Sequence, residues 1–141
     1  MDLNQLLHFD ELIKLNLPKN DFAIYGTAPL AIRGLKEKIN DIDIVVKKRL
    51  WDELILKYPV TIKDFGDEKR AFITIGNIEI CYSMVAFEEK SEEVINRADV
   101  ISGYRFVNLE DTKFWKSYLS RDKDIKDIEK INEYLEKEAI R

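Results

Sequence analysis

The sequence predicts an α/β (α+β) domain: a small mixed sheet with flanking helices and a C-terminal helix pair. Three observations carry this. Short apolar runs bounded by Gly, Pro, Asn and Asp, at residues 22–25 and 41–46 among others, have the length and composition of strands. Gly76-Asn77 separates two further runs by a two-residue turn of the kind that closes hairpins. Apolar residues recur at three- and four-residue steps before Pro18 and again after Leu109, which is the helical period.

Leu3, Leu6, Leu7, Leu12, Ile13 and Leu15 predict one amphipathic helix ending before Pro18. The lone histidine, His8, reads as a surface or capping residue. Phe22-Ala-Ile-Tyr25 is a buried strand closed by Gly26. Thr27 then caps a helix with Pro29 in its first turn, where the missing amide costs nothing, and that helix runs to about Lys38. Asn40 turns the chain into the strand Asp41-Ile-Asp-Ile-Val-Val46.

Arg49 to Tyr58 has the spacing of a helix that packs back on the sheet, and Pro59 stops it. Val60–Ile62 is a strand, a polar turn spans Asp64 to Glu68, and Arg70–Ile75 pairs with Asn77–Tyr82 as a hairpin. A charged helix is expected over Phe87–Arg97 and an extended, irregular segment over Val100–Val107. Two packed helices follow, with stripes at Leu109, Phe114, Trp115, Tyr118 and Leu119 and at Ile125, Ile128, Ile131, Tyr134 and Leu135.

A chain of 141 residues with 45% hydrophobic content fits a single domain over 1–141, with its core at about 20–107 and its C-terminal helices at about 109–138. With 23 basic and 27 acidic residues, the net charge of −4 has the wrong sign for a protein whose affinity comes from coating nucleic acid. One cysteine, Cys81, excludes an internal disulfide framework and reads as packing. The first residues carry acids where a signal peptide needs bases, and no apolar run approaches the ~20 residues of a membrane span. The expectation is a cytoplasmic protein with no membrane partner.

Strand alternation sends Asp41 and Asp43 to one face and Ile42 and Ile44 to the other. Two ionised carboxylates about 4 Å apart repel by about 4 kcal/mol at an effective dielectric of ~20, so such a pair calls for a cation, and oxygen-only ligands point to Mg²⁺ or Mn²⁺. Ile78-Glu-Ile80 repeats the apolar–acid–apolar pattern, making Glu79 the third ligand or base. Gly26, at a strand-to-helix turn, lets backbone amides approach a phosphate.

Taken together, Gly26-Thr27, thirteen residues, Asp41-Ile-Asp43 and then Glu79 between apolar residues resemble the nucleotidyltransferase superfamily, the fold of DNA polymerase beta and of small stand-alone "minimal" members. Lys116-Ser-Tyr-Leu-Ser-Arg121-Asp-Lys-Asp124-Ile-Lys-Asp127 resembles the K-x4-R-x-K-D-x-x-D helix pair of uncharacterised members. The resemblance covers most of residues 20–131. It implies an NTP substrate, two-metal transfer of a nucleoside monophosphate with Asp41, Asp43 and Glu79 as metal ligands and catalytic residues, and Gly26, Thr27 and Lys116 on the triphosphate. Asp124 and Asp127 would fix the helices through ion pairs. Thr27 stands where Ser or Gly is usual, and Glu79 where Asp is common. The acceptor is a small alcohol, a protein hydroxyl or an RNA 3′ end, and a protein partner or second subunit would close so short a cleft. The alternative is a weakly active or inactive binding or regulatory protein of the same fold, such as a toxin–antitoxin partner.

Overall fold

The computed structural model describes residues 2–65 and 68–140 and has the mixed α/β architecture the sequence predicts. Among the described residues seven strands form one sheet: β1 (Phe22–Tyr25), β2 (Ile42–Val46), β3 (Thr61–Phe65), β4 (Glu68–Ile75), β5 (Ile78–Cys81), β6 (Asp99–Ile101) and β7 (Tyr104–Phe106), in the order β3-β4-β5-β2-β1-β7-β6. The β2–β5 and β1–β7 pairs are parallel and the other four are antiparallel. Helices α1 (Phe9–Lys14), α2 (Ala28–Ala31), α3 (Lys48–Leu54), α4 (Ser91–Asn96), α5 (Leu109–Leu119) and α6 (Asp122–Ile140) surround it.

Alternation along the central strands divides the core. Phe22 and Ile24, Ile42 and Ile44, and Ile78 and Ile80 face α3 and the N-terminal segment, where Leu3, Leu6, Phe9, Leu12, Leu50 and Trp51 complete one cluster. Ala23, Tyr25, Val45 and Cys81 face the other way, toward Met84, Phe87, Val94, Ile95 and Trp115. Each fully buried Ile or Leu contributes about 1.5–3 kcal/mol of transfer free energy. Asp43 and Glu79 occupy the second face one step ahead of Val45 and Cys81, so the acids sit at the strand starts, where the apolar row ends.

Several elements depart from the sequence reading for local reasons. The N-terminal helix is two pieces, a 3-10 turn over Leu3–Gln5 closed by an Asp2–Gln5 capping box and then α1, because His8 takes a left-handed conformation (φ 67°) between them. The helix after Gly26 does not run to Lys38. It is one turn, α2, after which the chain bends through Gly34 (φ 77°), and Thr27 makes no side-chain cap. Residues 87–97 form a 3-10 turn (Glu88–Lys90) before α4, tied by Ser91 Oγ, which accepts from Met84 N and donates to Glu88 O. The segment Val100–Val107, expected extended and irregular, is extended but regular: with Asp99 it forms the hairpin β6–β7, turned by Ser102 and Gly103 at positive φ.

The strand expected at Val60–Ile62 runs instead over Thr61–Phe65, and the middle of the turn predicted between Asp64 and Glu68, residues 66–67, lies outside the described residues. The Gly76-Asn77 hairpin forms as predicted, with Ile75 opposite Ile78 and Ile73 opposite Ile80. In the C-terminal pair, Leu109 and Ile131 pack inward with Leu30 as predicted, but Phe114, Tyr118 and Ile125 are exposed, and Lys116, Asp124 and Asp127 share the interior. Among the described residues no helix is long and apolar enough to cross a membrane.

Candidate functional site

The parallel register of β2 and β5 places Asp43 directly beside Glu79, and Asp41 precedes β2 on the same side. One carboxylate oxygen from each of the three lies within 4.8 Å of the others. Asp41 is exposed, while Asp43 and Glu79 are half-buried. The chain's three predicted acids therefore converge.

Gly26 closes this cluster from above. Its φ of +78° is a left-handed value, and a Cβ built on it would stand 2.6 Å from Asp43 Oδ2. Only a residue without a side chain fits there. Tyr25, opposite Asp43 in the β1–β2 ladder, turns its hydroxyl to Cys81 Sγ at 3.2 Å and packs edge-on against Trp115. Tyr25 is thus core, as are Tyr82 against Trp51 and Tyr104 against Phe9.

Burial pushes the Asp43 carboxyl up to about 7, helped by the negative charges of Asp41 and Glu79 and opposed by Lys63 and Lys116. Lys63 is a member of the site that the sequence did not single out. Reaching from β3 across the Phe72 ring, its Nζ lies 2.8 Å from Glu79 Oε2. Alternation alone could have put Lys63 on either face; the β3–β4 register, with Lys63 opposite Arg70, decides it.

The acids open on a cavity of about 370 Å³ between the sheet and the C-terminal helices. Gly26, Thr27, Asp41, Asp43 and Glu79 form one side; Phe65, Phe72, Trp115 and Leu119 give an apolar wall; Lys36, Lys38, Arg121 and Lys123 supply positive charge. Of the basic residues between Gly26 and Asp41, Arg33 is committed to Asp99 and Pro29 O, while Lys36, itself paired with Asp127, and Lys38 line the cavity.

Lys116 is 1% exposed, and its Nζ lies 3.0 Å from Asp127 Oδ2 and 3.7 Å from Asp124 Oδ1. Arg121 Nε donates to Asp124 at 2.7 Å and Lys36 Nζ to Asp127 at 2.6 Å. Burial alone would raise both aspartates, but these hydrogen bonds and the Lys116 charge outweigh it and hold both carboxyls below the usual range. The conspicuous Lys-Arg-Asp-Asp pattern is thus a buried ion network joining α5 and α6 to Lys36 at the cavity.

No known protein-family model matches the chain, and no curated protein is detectably similar to it. Function rests on the site itself. Its donor set, three carboxylates and no nitrogen or sulfur, is of the type that could hold a hard divalent cation.

Proposed function

We propose that the chain is a metal-dependent nucleotidyltransferase that moves a nucleoside monophosphate from an NTP to a hydroxyl acceptor. The observation that carries this reading is the convergence of Asp41, Asp43 and Glu79 within 4.8 Å, beside a glycine turn and in a cavity rimmed by lysine and arginine. The residues fit Mg²⁺ or Mn²⁺: all donors are carboxylates, Asp43 is crowded by like charge, and Gly26 keeps free the space that a Cβ would fill. Asp41, Asp43 and Glu79 would hold the cations.

When bound, divalent cations supply Lewis-acid polarisation of the reacting phosphate and acidify an acceptor hydroxyl. The chain's own groups do the remaining work. Glu79 takes the proton that the acceptor hydroxyl gives up. Lys36, Lys38, Arg121 and Lys123 offset the charge of the triphosphate and of the departing pyrophosphate. The Gly26-Thr27 turn leaves room for phosphate against its backbone. Lys116 serves the site indirectly, because it orders Asp127 and Asp127 holds Lys36. The acceptor hydroxyl belongs to a small alcohol, a protein side chain or an RNA 3′ end.

A second reading, a protein of this fold that binds nucleotide without transferring it, is favoured by one contact: Lys63 occupies an oxygen of Glu79. Incubation with each NTP labelled at the α-phosphate, with Mg²⁺ and a cell extract as acceptor source, separates the two. Label transferred to an acceptor, and lost in Asp43→Asn, supports the enzyme. Absence of transfer together with unchanged nucleotide binding in the variant supports the binding protein.

A further inference from the structure

His8, Glu11 and Asn77 join three distant parts of the chain at one point. The Glu11 carboxylate accepts from Asn77 N at 3.0 Å and from Asn77 Nδ2 at 2.9 Å, in the turn that starts β5. His8 Nδ1 lies 2.8 Å from the same carboxylate, and His8 Nε2 lies 3.1 Å from Asn40 O, the carbonyl just before Asp41. Asn77 O in turn accepts from Ile42 N at 3.0 Å. One short helix therefore grips the chain just ahead of both acid-bearing strands, at Asn40, three positions before Asp43, and at Asn77, two before Glu79.

The fit is close. A Cβ on Gly76 would stand 2.5 Å from Glu11 Oε1, so the turn is moulded around the carboxylate. His8 holds a left-handed φ of 67°, a conformation that costs a non-glycine residue about 1–2 kcal/mol and persists only where its surroundings fix it. Nothing in core packing demands either feature: the α1 residues that fill the core are Phe9 and Leu12.

We propose that His8, Glu11 and Asn77 are positioning residues that set the separation of Asp41 and Asp43 from Glu79 and thereby tune cation affinity at the cluster. This rests on the cation reading above. Outer residues that fix ligand geometry typically govern about tenfold or more of metal affinity. The clasp acts by holding the starts of β2 and β5 in register, so that the carboxylates need not reorganise when the cation arrives.

The test is Mn²⁺ binding, followed by calorimetry or by loss of the free-ion magnetic resonance signal, on protein held well below its melting temperature. His8→Asn keeps a residue that tolerates the left-handed conformation but removes the reach to Asn40; Glu11→Gln keeps the shape of the carboxylate but not its charge. Leu12→Ala loosens the packing of the same helix without touching the clasp. The expected result is Mn²⁺ affinity about tenfold weaker in His8→Asn and Glu11→Gln, and within about twofold of wild type in Leu12→Ala despite a lower melting temperature. Wild-type affinity in both clasp variants overturns the clasp alone, as does an equal loss in Leu12→Ala, which would make the effect general loosening. Failure of the wild type itself to take up Mn²⁺ removes the cation reading and the clasp's role with it.

Discussion

The place where a Cβ on Gly26 would sit is 2.6 Å from the Asp43 carboxylate, so the glycine turn and the central acid of the cluster are fitted to one another. Replacing Gly26 by Ala forces either the turn or Asp43 to move, and it also places a side chain at φ +78°. We expect Gly26→Ala to lose about 2 kcal/mol or more of stability, measured by urea denaturation, and to lose Mn²⁺ binding. A variant with wild-type stability and wild-type Mn²⁺ affinity would show that the contact does not shape the site.

The raised pKa of Asp43 has a definite sign in stability. Its folded value is about 7 against 3.8 for the free group, so between those values the folded state holds a proton that the unfolded chain has lost. Metal-free protein should therefore become less stable as pH rises from about 4 to 7, with the penalty complete above 7 and at most about 4 kcal/mol. Asp43→Asn should flatten this limb and be the more stable protein at pH 8. Urea denaturation of both proteins in chelator at pH 5 and pH 8 reads the difference; an Asp43→Asn protein less stable than wild type at pH 8 would refute the crowded-carboxylate description.

Asp124 and Asp127 work in the opposite direction. Their folded values lie below the usual range, so the stability they contribute is present above about pH 4 and is lost as pH falls through the folded values. Removing the cation they share leaves buried negative charge undercompensated. Lys116→Met should cost about 3 kcal/mol, and a triple variant with Asp124→Leu and Asp127→Leu should recover much of it, because an apolar replacement of a buried ion network is close to neutral. Denaturation midpoints at pH 7 test both.

Lys63 competes for Glu79. In metal-free protein it partly neutralises the cluster, and a bound cation would displace it. Lys63→Met should raise Mn²⁺ affinity about three- to tenfold at low ionic strength, with a smaller gain at high salt where charges near the surface are screened. A loss of affinity instead would make Lys63 part of the binding geometry.

Mg²⁺ with NTP should raise the melting temperature by mass action, and more at pH 8 than at pH 5, since at the lower pH Asp43 must first give up a proton. Equal shifts at the two pH values would place binding elsewhere than at Asp43. Thermal denaturation with and without chelator makes the comparison.

Much of the fold was legible because its signals are local. The Gly76-Asn77 turn announced the β4–β5 hairpin, and α3 forms where a helix was expected from Arg49, although it ends at Leu54, five residues short of Pro59. The readings that failed did so where a backbone choice depends on distant partners. His8 splits the N-terminal helix because Asn40 and Glu11 reward its left-handed turn, and the segment after Ala31 leaves the helix to bring Lys36 to Asp127. The C-terminal stripes held at Leu109 and Ile131 and departed at Phe114 and Tyr118 for a related reason: three charged residues satisfy one another in the interior and leave those two rings outside.

By itself the sequence determined that Asp41, Asp43 and Glu79 leave their strands on the side opposite the isoleucines, since the two-residue period of a strand is a property of the local backbone. Only the tertiary structure decided that β2 lies beside β5 in parallel, with Asp43 level with Glu79, that Gly26 lies over Asp43, and that Lys63 reaches the cluster while Lys116 is sealed beneath it. Those facts depend on which strands become neighbours and in what register, a choice made by the whole core packing at once.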